Sequence, residues 1–180
     1  RSIATFRPEC RDAANPYAAL LADVSRRTGE LMAHWMAVGF MHGVMNTDNM
    51  SILGLTLDYG PYGWVDNFDA DWTPNTTDAG GRRYRYAHQP QIVLWNLSRF
   101  GGALLPLVSA SQELEATLQA CARSVEHQYR EMMAAKLGLS GDTPEDGIVD
   151  DLHAVLRLCE TDMTIFFRKL ADLDVAATSF

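Results

Sequence analysis

Most of the sequence carries apolar residues at the three- and four-residue spacing of an amphipathic helix. The first long pattern begins at Asn15-Pro16, where Asn is a favourable N-cap and Pro suits the first turn, and it runs to about Phe40. The longest pattern spans roughly Ser111–Leu137 and stops at Gly138. Three shorter helical patterns lie at residues 90–108, 147–159 and 161–173. The spacing therefore predicts a mainly α-helical domain.

One segment breaks this helical rhythm. Two short apolar runs, "MSIL" (Met50–Leu53) and "LTLD" (Leu55–Asp58), flank Gly54 and predict a small β-hairpin or two short strands. Residues 60–89 then contain many Gly, Pro, Asn, Asp and Thr residues. A stretch of that length without regular structure is usually functional in a compact domain. The unusual polar residues of the chain surround this predicted β element.

Length and charge limit the kind of protein further. The 180 residues are enough for one domain with a real core. A net charge of −8 argues against a mainly electrostatic nucleic-acid binder. The densest basic and aromatic cluster is "GGRRYRY" (Gly80–Tyr86), which we interpret as a solvated loop. We therefore expect no nucleic-acid partner.

The sequence also carries no sign of a membrane or secreted protein. No apolar run approaches the length of about 18 residues that a membrane helix needs, and the N-terminus lacks a signal sequence. The three cysteines are scattered and show no CxxC spacing, as is usual in a reducing cytosol. Cys121 and Cys159 lie within helical patterns, and we expect both to be small buried residues. A cytoplasmic protein without a membrane partner is the resulting prediction.

A possible metal site lies around the predicted hairpin. Asn49 and Asp58 lie on either side of it, so a chain reversal between them would bring an amide oxygen and a carboxylate to one ion. Oxygen ligands of this kind suit Mg²⁺, and protein kinases bind their metal with such a pair. His42 stands seven residues before Asn49, where it would orient the loop, and Gly60 would allow a sharp turn after Asp58. The alternative is a capped turn, since Asn and Asp are common turn residues.

The position two residues after His42 departs from the kinase pattern. A kinase has its catalytic Asp there, whereas this chain has Val44, whose side chain cannot accept a proton. Asp48, directly before Asn49, is the nearest carboxylate that could accept a proton from an attacking hydroxyl or help to hold the metal. A solvent-facing turn residue is the other interpretation of Asp48.

Residues 39–69, "GFMHGVMNTDNMSILGLTLDYGPYGWVDNFD", closely resemble the SelO family, also called UPF0061 or YdiU. The similarity continues through residues 74–107. The resemblance implies a kinase-like protein, in that sense a pseudokinase, that transfers AMP from ATP to protein hydroxyls in the bacterial cytoplasm. It implies Asp48 as the proton acceptor, and Asn49 and Asp58 as ligands of Mg²⁺ or Mn²⁺, with Asp58 thereby contacting the bound nucleotide.

The resemblance also implies that residues 1–180 form the C-terminal lobe of a kinase-like fold. Family members hold the nucleotide mostly with a preceding lobe, and this chain has no G-x-G-x-x-G motif. We therefore expect a fragment of a larger enzyme that is inactive without the N-lobe. Two alternatives stay open: a kinase-like phosphotransferase, because the same metal pair would serve γ-phosphate transfer, and a non-catalytic nucleotide-binding or scaffolding module.

Overall fold

Six α-helices and one pair of short strands make up the regular structure of the computed structural model, which describes residues 1–108, 111–139 and 147–173. The helices are α1 Ser2–Phe6, α2 Pro16–Ala37, α3 Gln89–Leu104, α4 Ser111–Lys136, α5 Ile148–Leu156 and α6 Met163–Ala171. The strands are β1 Phe40–Met41 and β2 Gly63–Trp64. The prediction of a mainly α fold with one small β element is confirmed.

The core is built on α2, which packs against α3 and α4. Asn15 caps its first turn, since the side-chain oxygen accepts hydrogen bonds from the amides of Tyr17 and Ala18. Gly29 lets α4 approach closely: a Cβ there would lie 3.2 Å from Val125 and 3.3 Å from the sulfur of Cys121. Helices α2 and α4 therefore pack closely at Gly29.

The main hydrophobic cluster joins all of these elements. Its members are buried apolar side chains from α2, β1, the loop after β2, and helices α3 to α6, among them Met32, Trp35, Phe40, Met41, Val65, Val93, Val125, Met133, Leu156 and Met163.

None of the helices within the described residues is long and apolar enough to cross a membrane.

The predicted position of the β-hairpin was wrong. The strands that pair are β1 and β2, antiparallel, with Phe40 opposite Trp64 and Met41 opposite Gly63. Residues 50–57, for which the hairpin was predicted, form a turn that ends at Gly54, where φ is +69°. The strand pair encloses this segment, so the chain reverses between Met41 and Gly63 and not within a hairpin at residues 50–57.

Residues 50–57 contact side chains from elsewhere in the chain and pair with no strand among the described residues. Arg7 donates to the carbonyl of Ile52, and a Cβ on Gly54 would lie 2.8 Å from Arg27 on α2. Thr56 accepts a hydrogen bond from the indole of Trp35 at 3.0 Å. These long-range contacts cannot be read from local sequence periodicity.

The helix boundaries largely agree with the sequence patterns. Helix α3 continues through Gly101-Gly102 and ends at Leu104, before a short 3₁₀ turn that contains Pro106. Helix α4 stops before Gly138, whose φ of +75° is a common helix ending. Cys121 is buried as predicted, but Cys159 is exposed, because α5 already ends at Leu156 and leaves Cys159 in a turn.

Candidate active site

Two carboxamides on α3 hold the loop that follows β1. Gln89, which is fully buried, donates to the carbonyl of Phe40 at 2.9 Å and accepts from the amide of His42 at 3.1 Å. Asn96 donates to the carbonyl of Met45 at 2.9 Å. Because seven residues are two helical turns, both side chains project from one face of α3. Helix α3 therefore fixes both ends of the segment from Phe40 to Met45.

Two further carboxamides hold the carbonyls between those points. Asn75, in the long loop after β2, donates to the carbonyl of Gly43 at 3.0 Å, and its own oxygen accepts from Thr77. Asn49 donates to the carbonyl of Val44 at 3.0 Å. The buried backbone acceptors of this loop are thus satisfied by side chains in place of a strand partner.

Gly43 allows the loop to approach the segment after Asp58. Its φ is +79°, and a Cβ there would lie only 2.3 Å from the carbonyl oxygen of Pro61. An L side chain fits neither the backbone conformation nor the space.

His42 joins the two halves of the site. Its Nε2 lies 2.7 Å from the carbonyl oxygen of Leu57, and its Nδ1 lies 3.4 Å from the amide of Val44. A carbonyl can only accept and an amide can only donate, so this geometry fits the neutral tautomer with its proton on Nε2. The ring stacks on Trp35, with 5.5 Å between centroids. His42 therefore orients the loop, as its position in the sequence predicted.

Asp58 occupies the left-handed region, with φ of +56°. The amide of Gly60 donates to the carbonyl of Asp58 at 2.8 Å and closes a tight turn. A Cβ on Gly60 would come no closer than 4.0 Å to the Asp58 carbonyl oxygen. The expectation that Gly60 provides the sharp bend was therefore wrong, since Asp58 itself adopts the unusual conformation. A non-glycine residue there costs about 1 kcal/mol or more, and such strain often marks a functional residue.

Asp48 and Asn49 lie in a short 3₁₀ turn, Thr47–Asn49, which the Asn49 amide closes by donating to the carbonyl of Asn46 at 3.0 Å. Asp48 is exposed and Asn49 is half-buried. The Asn49 nitrogen is used by Val44, so the amide oxygen is the atom that remains for a ligand. The carboxylate of Asp58 is exposed as well.

This donor set suits a hard cation. An amide oxygen and a carboxylate are oxygen ligands of the kind that Mg²⁺ takes, usually together with waters and substrate phosphates. Within the described residues no three His, Cys, Asp or Glu side chains form a metal cluster. A metal site with only two protein ligands, one of them an Asn, would contain no such group of three. By their chemistry, Asn49 and Asp58 could each supply an oxygen ligand to Mg²⁺ or Mn²⁺.

Exposed aromatic side chains surround the turn after Asp58. Tyr59, Tyr62 and Trp64 contact one another edge to face, at 5.3 and 5.6 Å between centroids. All three are about half exposed, and they pack against the buried ring of Phe40. These exposed aromatic side chains begin directly after Asp58, and clusters of this kind are typical of surfaces that contact another protein.

Tyr86 anchors the long loop at its far end. Its hydroxyl donates to the carbonyl of Met36 at the end of α2, and its amide donates to the carbonyl of Trp72. Burial raises the pKa of Tyr86 well above its usual value, and the neighbouring Tyr129 adds to the effect. The hydroxyl therefore remains a donor at any ordinary pH.

Sequence reasoning missed the carboxamides that hold the loop. Asn75 and Asn96 begin only short N-x-S/T sequons of the kind that occur by chance, Gln89 carries no motif, and none of the three was predicted to act at the site. One signal was present: Gln89 and Asn96 stand seven residues apart on the apolar face of a predicted helix. Polar side chains on such a face need partners, and an amide has both a donor and an acceptor to offer.

Comparisons with known proteins point to one family. A family model described as "Protein adenylyltransferase SelO" matches residues 1–179. Proteins named "Protein nucleotidyltransferase YdiU" from Rhodopirellula baltica, Aromatoleum aromaticum and an Azoarcus species are 54%, 57% and 58% identical over 170, 157 and 153 residues. The alignments cover 93%, 87% and 84% of this chain but 32%, 30% and 30% of those relatives. The chain thus spans about a third of their length.

Proposed function

Because this chain belongs to the SelO family of protein adenylyltransferases, we propose that its full-length protein transfers AMP from ATP to Ser, Thr or Tyr hydroxyls of target proteins. The observation that carries the proposal is the connection between two loops. His42 binds the carbonyl before Asp58, while Asn49 uses its nitrogen within its own loop and leaves its oxygen for a ligand. This arrangement supports a shared metal and phosphate site.

In this proposal Asn49 and Asp58 hold Mg²⁺ or Mn²⁺, with ATP as the substrate. The bound metal would neutralise charge that develops on the phosphates when pyrophosphate leaves. Asp48 accepts the proton of the attacking hydroxyl, for which its exposure is suitable. Val44 takes no part in proton transfer, since its side chain is aliphatic. Its backbone holds the loop instead: the amide donates to His42 and the carbonyl accepts from Asn49.

The rest of the protein has a defined task in this proposal. The chain spans about a third of its curated relatives, and we propose that residues 1–180 form a C-terminal lobe while another lobe grips ATP. The exposed aromatic surface of Tyr59, Tyr62 and Trp64 would then contact the acceptor protein or that second lobe. The 180-residue chain alone should neither bind ATP tightly nor transfer AMP.

Labelled ATP tests the reaction class. The full-length protein is incubated with an acceptor protein, Mg²⁺ or Mn²⁺, and ATP labelled on either the α- or the γ-phosphate. The proposal predicts label on the acceptor from the α-phosphate only, and a mass increase equal to one AMP. Label from the γ-phosphate would indicate a phosphotransferase instead. No labelling, together with no thermal stabilisation by ATP and metal, would indicate a non-catalytic module.

A further inference from the structure

A cavity of about 320 Å³ opens between α2, the loop that carries Asp48, and α3. Thr47 and Ser51 line it from the loop, and Asn96 and Arg99 line it from α3. Since Thr47 directly precedes Asp48, the cavity lies beside the proposed proton acceptor.

Asn96, which lines this cavity, carries an unused acceptor. Its side chain is 4% exposed, and its nitrogen is taken by the carbonyl of Met45. Its Oδ1 is buried and has no hydrogen-bond partner within the described residues. A buried amide oxygen without a partner is costly, and most such atoms in proteins are satisfied. A ligand that carries an N–H or O–H group would satisfy it.

Two arginines lie near one indole ring, and one of them, Arg99, lines the cavity. The guanidinium carbons of Arg83 and Arg99 lie 5.0 and 5.3 Å from the ring centroid of Trp95. In the part of the chain that the structure describes, neither has an acidic partner, whereas Arg26 and Arg27 both bind Asp23. Two like charges near one ring repel each other, and a bound anion would offset that repulsion.

The arginine pair is also connected to the loop of the proposed base. Arg83 lies over the ring of Tyr84, at 5.7 Å, and the hydroxyl of Tyr84 donates to the side chain of Asn46. Asn46 accepts the hydrogen bond that closes the Thr47–Asn49 turn. The interpretation of "GGRRYRY" as only a solvated loop is therefore too simple, since Arg83 in this segment packs on Trp95 of α3.

We propose that the cavity and the arginine pair form an acceptor-recognition site, with Thr47, Ser51, Asn96 and Arg99 in the cavity and Arg83 and Trp95 beside Arg99. It binds a protein segment in which an Asp or Glu lies close to the target hydroxyl. The carboxylate binds Arg83 and Arg99, a donor of the segment binds the Oδ1 of Asn96, and the hydroxyl is presented to Asp48. This inference rests on the proposed function and names the substrate class of the same site.

Matched peptides test the inference in the full-length protein. One peptide carries Ser with Glu on either side, and the other carries Gln in the same places. We expect kcat/KM for AMP transfer to be about tenfold higher for the Glu peptide, the range of a charge-assisted contact. Arg99→Gln and Arg83→Gln should each remove most of this preference, and Arg99→Glu should favour a peptide with Lys instead. Arg123→Gln, an exposed arginine on α4, serves as the control and should leave the preference intact.

A binding measurement separates this inference from the reaction. Calorimetry with full-length Asp58→Asn protein, without ATP, should show tighter binding of the Glu peptide than of the Gln peptide, and Arg99→Gln should abolish the difference. If wild-type protein transfers no AMP but this difference persists, the reaction is wrong and the acceptor site stands. Equal binding and equal rates for both peptides would overturn the site, as would an Arg99→Gln effect confined to the KM for ATP.

Discussion

The Nε2 of His42 lies 2.7 Å from the carbonyl oxygen of Leu57, so the loop that carries Asp48 and Asn49 is fastened to the residue before Asp58. Four carboxamides, one of them Asn49 in the loop itself, donate to the carbonyls of Phe40, Gly43, Val44 and Met45. The site is therefore positioned by backbone contacts, and variants in residues that touch no substrate should still change activity.

His42→Phe should lower AMP transfer by the full-length protein about 10–100-fold, because a small misplacement of reacting groups is expensive. Phe keeps the ring that stacks on Trp35 but removes the bond to Leu57. His34→Phe, an exposed position on α2, is the matched control. Equal transfer rates for His42→Phe and wild type would show that this bond has no positioning role.

Gln89→Leu should lower the free energy of unfolding by about 2–4 kcal/mol, because it leaves the Phe40 carbonyl and the His42 amide buried without partners. Urea unfolding of the 180-residue chain measures the change. Gln91→Leu, exposed on the same helix, should change it by less than about 0.5 kcal/mol. Similar losses in both variants would argue against a specific role for Gln89.

Gly43→Ala should destabilise the chain by about 1–3 kcal/mol or more, since its φ is +79° and the Pro61 carbonyl occupies the space of a Cβ. Gly102→Ala is the comparison, because it lies in α3 with nothing within 4 Å of its Cβ position. There we expect a gain of up to about 1 kcal/mol from helix propensity. Thermal unfolding of the two variants should move in opposite directions.

Stability should fall as the pH is lowered below about 6.5, the usual pKa of His. Burial lowers the pKa of His153, and the nearby Arg157 lowers it further. His153 thus binds a proton less readily in the folded state than in the unfolded state. Its contribution to the free energy of unfolding is therefore fully present above pH 6.5 and decreases below it. His153 also contacts the hydroxyl of Tyr129 at 2.7 Å and stacks on Phe68.

Comparison of unfolding curves at pH 7.5 and 5.5 checks this effect. His153→Phe should reduce the difference between the two, whereas the exposed His127→Phe should not. An unchanged pH dependence in His153→Phe would assign the acid sensitivity to other groups.

Asp58→Gly should raise the free energy of unfolding by about 1 kcal/mol, because Gly adopts the φ of +56° without strain. The same change should abolish AMP transfer by the full-length protein. Gly introduced at the exposed Asp66, eight residues later, should instead leave transfer intact. A clear loss of stability in Asp58→Gly would show that the carboxylate supports the fold and would weaken its assignment to the metal.

The sequence predicted helices α2 to α6 because each carries its own apolar spacing or end signals, such as Asn15 before α2 and Gly138 after α4, but it did not predict the short helix α1. It misplaced the hairpin because residues 50–57 bond to Arg7, Trp35 and His42, which lie far away in the chain. The kinase-like spacing pointed to Asn49, Asp58 and Asp48 as candidates, and the resemblance to SelO implied a role for each. It supplied nothing about the carboxamides, whose roles depend on which carbonyls the folded loop brings to α3.

Intact-mass analysis of AMP transfer by full-length Asp58→Asn protein tests the central claim most directly. Asn is close to Asp in size and tolerates positive φ, so the turn should persist while the charge that attracts the metal is lost. With Mg²⁺ or Mn²⁺ and ATP, we expect wild type and the control Asp66→Asn to add one AMP to the acceptor, and Asp58→Asn to add none. Transfer by Asp58→Asn at the wild-type rate would contradict a metal site built on Asn49 and Asp58.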